Sequence, residues 1–494
     1  MNIHGRNPNS PILPDYELNH IVDHFLAKDF AAFSVIRQLD KRNYKRATGV
    51  VEHLLINSPE GFSRFFPAPH EPKCAARPAH LALQFNVSTE KLQHLPDSIT
   101  HLELNHQRRW PPTISAKFLE ALVKQCPNIQ SLNLRNNILD EDAVAVLQRF
   151  EKLTELDLTA SKIANEGIKE VAKITNLTSL KVGNCDISDY GAMELPKLVN
   201  LSTLDLSGNF IGCAGAAEVA KLLELTELNM STTDIFFDGV RALAALPNLR
   251  TLDLSDHIIF SEDSTPLEMF NKLSCLKLND CHIDGQIPMN IAKLENLSEL
   301  HLANNRIGPE GLKELLKLPK LSNLNLSSNR LGHAEMKEVA NILTLTTLNL
   351  SNHLSWPGEH FDQKLNGEAL AELAKLPLLS DLDLSRNSIG LPLATALTKL
   401  AHLCTLKLVK CSIGNQEVAE LVKFNIGDPK MAEQPKLPNF ETLDLSNNVI
   451  GDEGATLLVN RGNIATLILH GNPEISAVHI EEVRAAPNTP NINI

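Results

Sequence analysis

One motif returns along this chain at a step of 24 residues, starting at Leu153, Leu177, Leu201, Leu225, Leu249, Leu273, Leu297, Leu321 and Leu345. Ile129 precedes the run by the same step, and Ile99 opens a frayed first copy 30 residues earlier. Further on, copies start at Leu379, Leu403, Phe440 and Ile464, after steps of 34, 24, 37 and 24. Chain length alone would suggest three domains. A fixed period constrains more, because each copy buries its apolar face only against its neighbours and the chain grows as a stack of layers.

Each copy begins with x-L-x-L-x, an alternation of period two. This predicts a short strand with its leucines inward and its polar residues outward. Downstream lies a small polar slot, where the chain turns and buried backbone groups need partners. Asn209, Asn305, Asn329, Asn387, Asn448 and Asn472 occupy it, Cys185, Cys281 and Cys411 replace Asn there, and Ser161, Thr233, His257 and His353 are weaker fillers. The second half of each copy reads EGIKEVAKI, AGAAEVAKL, DGVRALAAL, EGLKELLKL or NGEALAELAKL, a glycine followed by apolar residues at helical spacing. Only DGQIPMNIAKL departs, since Pro288 should disturb the interior of such a helix.

The pattern L-x-x-L-x-L-x-x-N-x-L is the leucine-rich-repeat signature. The expected fold is α/β: a solenoid of about fifteen repeats, with a parallel sheet on the concave side and short helices on the convex side. The expected organisation is a disordered stretch over 1–10, a helical segment over 11–45, a linker and cap over 46–98, the array over 99–480 and a tail over 481–494. The excess residues around Trp356 to Gly367 and Gly427 to Lys436 are polar, contain Pro and Gly, and read as surface loops.

Composition narrows the function. Net charge is −13, and residues 1–80 contribute +2, leaving −15 for the rest. An acidic array disfavours nucleic acid and favours a partner with a basic face. The eight cysteines have no metal- or disulfide-type spacing, which suits a reducing compartment. The N-terminal residues lack the apolar core of a signal peptide, and no apolar run is long enough for a membrane span. His20 and His24 lie four apart, but HIVDH lacks the acidic base of a zinc protease and reads as a solvated helix face. Asn176, Asn200 and Asn296 match the glycosylation acceptor pattern because the repeat itself places Asn before Leu-Ser/Thr. Cys281 belongs to the buried slot and Cys275 points outward from its strand; both read as structural, with a reactive Cys275 as the alternative. No catalytic constellation, cofactor motif or metal set is found, so the expectation is a binding protein rather than an enzyme.

Between 11 and 42, Leu18, Ile21, Val22 and Phe25 share one helical face, and Asp29 could cap a second helix. The string LPDYELNHIVDHFLAKDFAAFSVIRQL resembles an F-box. That resemblance implies docking to the Skp adaptor of a cullin-based ubiquitin ligase through Leu13, Pro14, Leu18, Ile21, Phe25, Leu26 and Asp29. With GAAEVA at Gly215, GVRALAAL at Gly239 and EALAELA at Glu368, the combination is similar to the GALA family of bacterial type III secreted effectors. The likeness implies action in a host cell, in the cytoplasm or nucleus, on a host target protein. The alternative is a plain repeat scaffold or inhibitor without a ligase link. Target contacts are expected at the outward position between the two inner leucines: Asp157, Lys181, Asp205, Asn229, Asp253, Lys277 and His301. Asp157, Asp205 and Asp253 would form an acidic track there.

Overall fold

The computed structural model describes residues 53–56, 80–83, 87–104, 113–140, 142–257, 265–283, 288–329, 331–351, 367–387, 400, 403–423, 440–460, 464–485 and 491–493. The F-box-like segment and both late insertions lie outside these residues. The chain divides into two compact units, Met1–Asp234 and Ile235–Ile494.

The first unit contains β1 (His53–Ile56), β2 (His80–Leu83), β3 (His101–Leu104), β4 (Thr113–Ile114), β5 (Ser131–Asn133), β6 (Ile138–Leu139), β7 (Glu155–Asp157), β8 (Ser179–Lys181), β9 (Thr203–Asp205) and β10 (Glu227–Asn229). All but β4 and β6, which pair with each other, join one parallel sheet in sequence order. Its register is set by leucine: Leu54, Leu81, Leu102, Leu132, Leu156, Leu180, Leu204 and Leu228 lie side by side.

The second unit repeats the arrangement with β11 (Thr251–Asp253), β12 (Cys275–Lys277), β13 (Glu299–His301), β14 (Asn323–Asn325), β15 (Thr347–Asn349), β16 (Asp381–Asp383), β17 (Thr405–Lys407), β18 (Phe440–Asp444), β19 (Ile464–Ile468) and β20 (Asn491–Asn493). Each pairs in parallel with the next. Slipping any strand by one residue would turn its leucines to solvent, so the alternating pattern pins the register.

The sheet reaches past both expected limits of the array. Two strands, β1 and β2, fall in the stretch read as linker and cap, and His80 and His101 stack their rings 3.8 Å apart across β2 and β3. At the other end, β20 and most of the helix Ala477–Ala485 fall near or within the stretch read as a tail. Neither end carries the full repeat signature, so pairing with a neighbour, not local pattern, places them in the sheet.

The helices obey the sequence pattern. Ala164–Val171 buries Gly167, Ile168 and Val171, Cys213–Val219 buries Gly215, Ala216 and Val219, and Pro309–Leu315 buries Gly311, Leu312 and Leu315. The glycine of Cys213–Val219 sits against the helix of the preceding repeat, its N–H donating to Asp189 Oδ1. A Cβ on Gly215 would lie 2.6 Å from both Ile211 Cγ2 and Asp189 Oδ1, closer than packed atoms approach. Pro288 does not disrupt a helix interior as expected. It is the first residue of the short helix Pro288–Ile291, where its missing N–H would have no intrahelical partner anyway. On the exposed helix faces, acid–base pairs three apart recur, such as Glu170–Lys173, Glu218–Lys221 and Glu310–Lys313, solvent-screened pairs that contribute little to stability.

Candidate functional site

Two ladders govern what the sheet can present. The first is the buried slot. Asn209 is 2% exposed. Its Nδ2 donates to Val182 O of the preceding repeat at 2.8 Å and to Leu206 O at 2.9 Å. Its Oδ1 accepts from Cys185 N and Ile187 N, both at 3.0 Å. Asn305 repeats this with Cys281 and Ile283, and Asn448 with Cys411 and Ile413. A thiol fits the slot because it too donates: Cys185 Sγ reaches Leu158 O at 3.0 Å and Cys281 Sγ reaches Leu254 O at 3.2 Å. Ser161 donates in the same way to Leu134 O at 3.1 Å. Asn137, 1% exposed, belongs to this column as well and bonds Leu104 O and Leu134 O.

Burial pushes the thiols of Cys281 and Cys411 up to about 12 and also raises that of Cys185. These cysteines are structural donors. The residue before the slot is left-handed in repeat after repeat, with φ of 54° at Asn184, 55° at Thr232, 53° at Asp280 and 62° at Arg386. Gly208 and Gly471 are the glycines of this kind among the described residues. Glycine content alone therefore does not reveal the turn.

The second ladder is the outward column. Asp157 Oδ1 accepts from Thr159 N at 2.9 Å, Asp205 Oδ1 from Ser207 N at 2.9 Å, Asn229 Oδ1 from Ser231 N at 3.0 Å and Asp253 Oδ1 from Ser255 N at 3.0 Å. These side chains close the turn that follows each strand, by the usual local bond of Asp and Asn. Lysine has no acceptor and cannot do this. Where it stands at Lys277 or Lys407, the preceding repeat substitutes a serine: Asn279 N donates to Ser255 Oγ and Val409 N to Ser385 Oγ, each at 3.2 Å. At His301 the same task falls to Asn279 Oδ1, which accepts from Ala303 N at 2.9 Å.

The predicted target residues thus share one sheet face within each unit, but their chemistry differs from the expectation. Asp157, Asp205, Asn229, Asp253, Lys277 and His301 are half-buried, and Lys181 is exposed. Lys181 lies in register between Asp157 and Asp205, and Lys277 Nζ sits 3.9 Å from Asp253. The column thus mixes acidic, basic and neutral side chains, and Asp157, Asp205 and Asp253 also hold their own backbone. The other outward position, one strand residue earlier in each repeat, was not singled out from the sequence. In the first unit it carries Glu155 and Glu227, both exposed, with Ser179 and Thr203 between them. The period-two alternation that exposes Asp157 exposes Glu155 equally, so the signal was available.

Cys275 fits the structural reading rather than the reactive alternative. It faces outward but is only 9% exposed, and burial together with the neighbouring Glu299 charge pushes its thiol up to about 11. The amides of Asn176, Asn200 and Asn296 donate to backbone carbonyls of the preceding repeat, at Glu151, Thr175 and Asn271. These asparagines therefore have a structural role. Asn176 and Asn200 line an open groove together with Thr154, Thr178, Ser202 and Thr226. Each of those hydroxyls donates to a carbonyl one repeat back, at 3.1–3.2 Å.

The family described as Leucine Rich repeat matches the chain at residues 151–172, 173–195, 293–316 and 436–459. The fold is a leucine-rich-repeat solenoid. The matched segments fall in both units, each on the strand–turn–helix copies described above. Among solved structures, the chain is similar to an internalin from Listeria monocytogenes, at 22% identity over 68% of this chain and 89% of that chain, with a TM-score of 0.43. No curated protein matches the chain at a significant level. The family match begins at residue 151, so the F-box-like residues Leu13, Pro14, Leu18, Ile21, Phe25, Leu26 and Asp29 lie outside it as well as outside the described residues.

Proposed function

We propose that this leucine-rich-repeat chain is a non-catalytic protein-binding scaffold whose outward sheet face selects a target. The observation that carries this reading is the sheet face of the first unit. There Glu155, Lys181 and Glu227 stand exposed on strands whose register is locked by buried leucines. Charged groups held on a rigid frame lose little entropy on binding and discriminate between partners by complementarity. On β7 to β10 this face carries Glu155, Asp157, Asp205 and Glu227 with Lys181 among them, so the fitting partner is mainly basic, with an acidic group opposite Lys181.

A finer reading adds the N-terminal segment. The F-box likeness of residues 11–45 supports a substrate receptor that docks a Skp adaptor through Leu13, Pro14, Leu18, Ile21, Phe25, Leu26 and Asp29, while the repeats hold the target. The GALA likeness further supports a bacterial effector delivered into the host cytoplasm or nucleus. In this role the chain moves no ubiquitin itself. Direct binding of the purified full chain to a purified Skp adaptor is the test. Wild type binds, and the double change Leu13→Ala, Pro14→Ala abolishes binding, because removing apolar anchors from an interface centre commonly costs several kcal/mol. A wild-type chain that binds no Skp adaptor would leave the scaffold reading standing and end the ligase reading.

A further inference from the structure

On the outward face of the second unit, the ligand-type atoms of Cys275, Glu299 and His301 all lie within 4.8 Å of one another. The topology accounts for the meeting. Cys275 and Glu299 are directly opposed on β12 and β13, and His301 follows Glu299 by two residues, which returns its side chain to the same face. His301 Nε2 already contacts Glu299 Oε1 at 2.6 Å.

Two of these three residues break the chemistry of their columns. Strand neighbours of Cys275 at the same register carry Thr251 and Glu299, and on the other strands of the sheet from β5 to β20 the position holds Ser, Thr, Glu, Asn or Asp. Neighbours of His301 carry Lys277 and Asn325, and its position is otherwise Asp, Asn or Lys from β11 to β18. His301 is also free of the structural duty its column performs, since Asn279 holds the turn at Ala303 in its place. Two departures from the repeat thus converge on one point, where neither is needed to hold the strand exit.

We propose that Cys275, Glu299 and His301 form a binding site for a single divalent transition metal of the zinc class. A thiolate, an imidazole nitrogen and a carboxylate are the donor set that such an ion prefers. With metal–ligand bonds of about 2.0–2.3 Å, tetrahedral geometry sets neighbouring ligand atoms roughly 3.3–3.8 Å apart. Side-chain rotation of about an ångström therefore closes the present arrangement onto an ion. On binding, the thiol proton passes to solvent, and the thiolate and Glu299 together offset the charge of the dication. Lys277 faces His301 across the strands, but its ammonium is drawn toward Asp253 at 3.9 Å, and that pair is neutral by itself. Three protein ligands on an open sheet face leave the fourth position to water. This proposal is independent of the F-box reading and of the identity of any protein target.

The experiment titrates cobalt(II) into the full-length chain after metal has been stripped, in a reductant without thiols. Expected are one equivalent of cobalt, a thiolate-to-cobalt charge-transfer band, visible bands of four-coordinate intensity, and displacement of all of these by zinc. Cys275→Thr and His301→Asn restore residues that other strands carry at those registers, so both variants keep the fold, checked by circular dichroism. Cys275→Thr should abolish the charge-transfer band, and His301→Asn and Glu299→Gln should each weaken cobalt binding at least tenfold. Cys404→Ser and Cys213→Ser should leave it unchanged. Absence of a charge-transfer band in folded wild type overturns the proposal, and so does a band that survives Cys275→Thr.

Discussion

Replacing Asn209 with alanine tests the slot ladder at its most demanding point. The amide makes three bonds as donor, to Val182 O, Leu206 O and, at 3.3 Å, Ser207 O, and two as acceptor, from Cys185 N and Ile187 N. Asn329 supplies the control. It donates to Leu302 O at 2.8 Å and Leu326 O at 3.0 Å, but its buried Oδ1 has no partner. Both substitutions remove the donor side of the amide, and only Asn209→Ala also strands two buried N–H groups. An unsatisfied buried donor costs about 1–3 kcal/mol, and water entering the vacated space draws two of them toward the lower part of the doubled range, about 2–4 kcal/mol. Asn209→Ala should therefore destabilise its unit by about 2–4 kcal/mol more than Asn329→Ala does its own. A solenoid can unfold in pieces, so a single melting curve is a blunt instrument here. Hydrogen exchange read at the amides of Cys185 and Ile187 is the sharper assay, and both should lose protection in Asn209→Ala. If those amides exchange no faster than in wild type, or if Asn329→Ala is the more damaging change, the accounting of acceptor bonds is wrong.

Other outcomes follow from the same two ladders. Leu206→Ala, at a fully buried inward position, should cost roughly 2–5 kcal/mol in a urea titration. Asp205→Ala strips the acceptor from Ser207 N; a loss of about 0.5–1.5 kcal/mol is expected, and a loss larger than that of Leu206→Ala would mean the strand register is off by one. Burial holds the Cys411 thiol protonated up to about 12 in the native state, whereas an unfolded thiol ionises near 8.5. The native state thus binds the proton more tightly, and this contribution is intact below that lower value and lost as pH rises toward about 12. Serine fits the slot, as Ser161 demonstrates, and does not ionise, so the stability of wild type relative to Cys411→Ser should fall steadily above pH 9 or so; a difference flat across that interval would mean the thiol is not shielded.

Much of this was legible in the residues themselves. The 24-residue step, the inward leucines, the Asn and Cys slot and the recurring glycine of the helical half follow from periodicities that any neighbour in the stack reinforces. Pro288 was misjudged by a few residues of helix boundary, since the pattern marks a helical half-repeat but not its first residue. Cys275 was placed correctly as outward, but its burial was not legible: an outward residue on a central strand has flanking side chains on both sides, and here burial and the neighbouring Glu299 charge raise the thiol.

The sequence by itself determined the layers, because inward and outward positions within one repeat depend only on alternation along a single strand. What only the tertiary structure decided is everything that passes between repeats. The Asp column, expected to face a target, also holds its own turns, each carboxylate accepting from an amide two residues ahead. The lysines in that column are tolerated because a serine one repeat earlier takes over the bond. The meeting of Cys275 with Glu299 and His301 joins residues 24 and 26 apart in the chain. In a stack built on near-identical copies, sequence fixes what each layer contains, and only the register between layers brings unlike side chains within reach of one another.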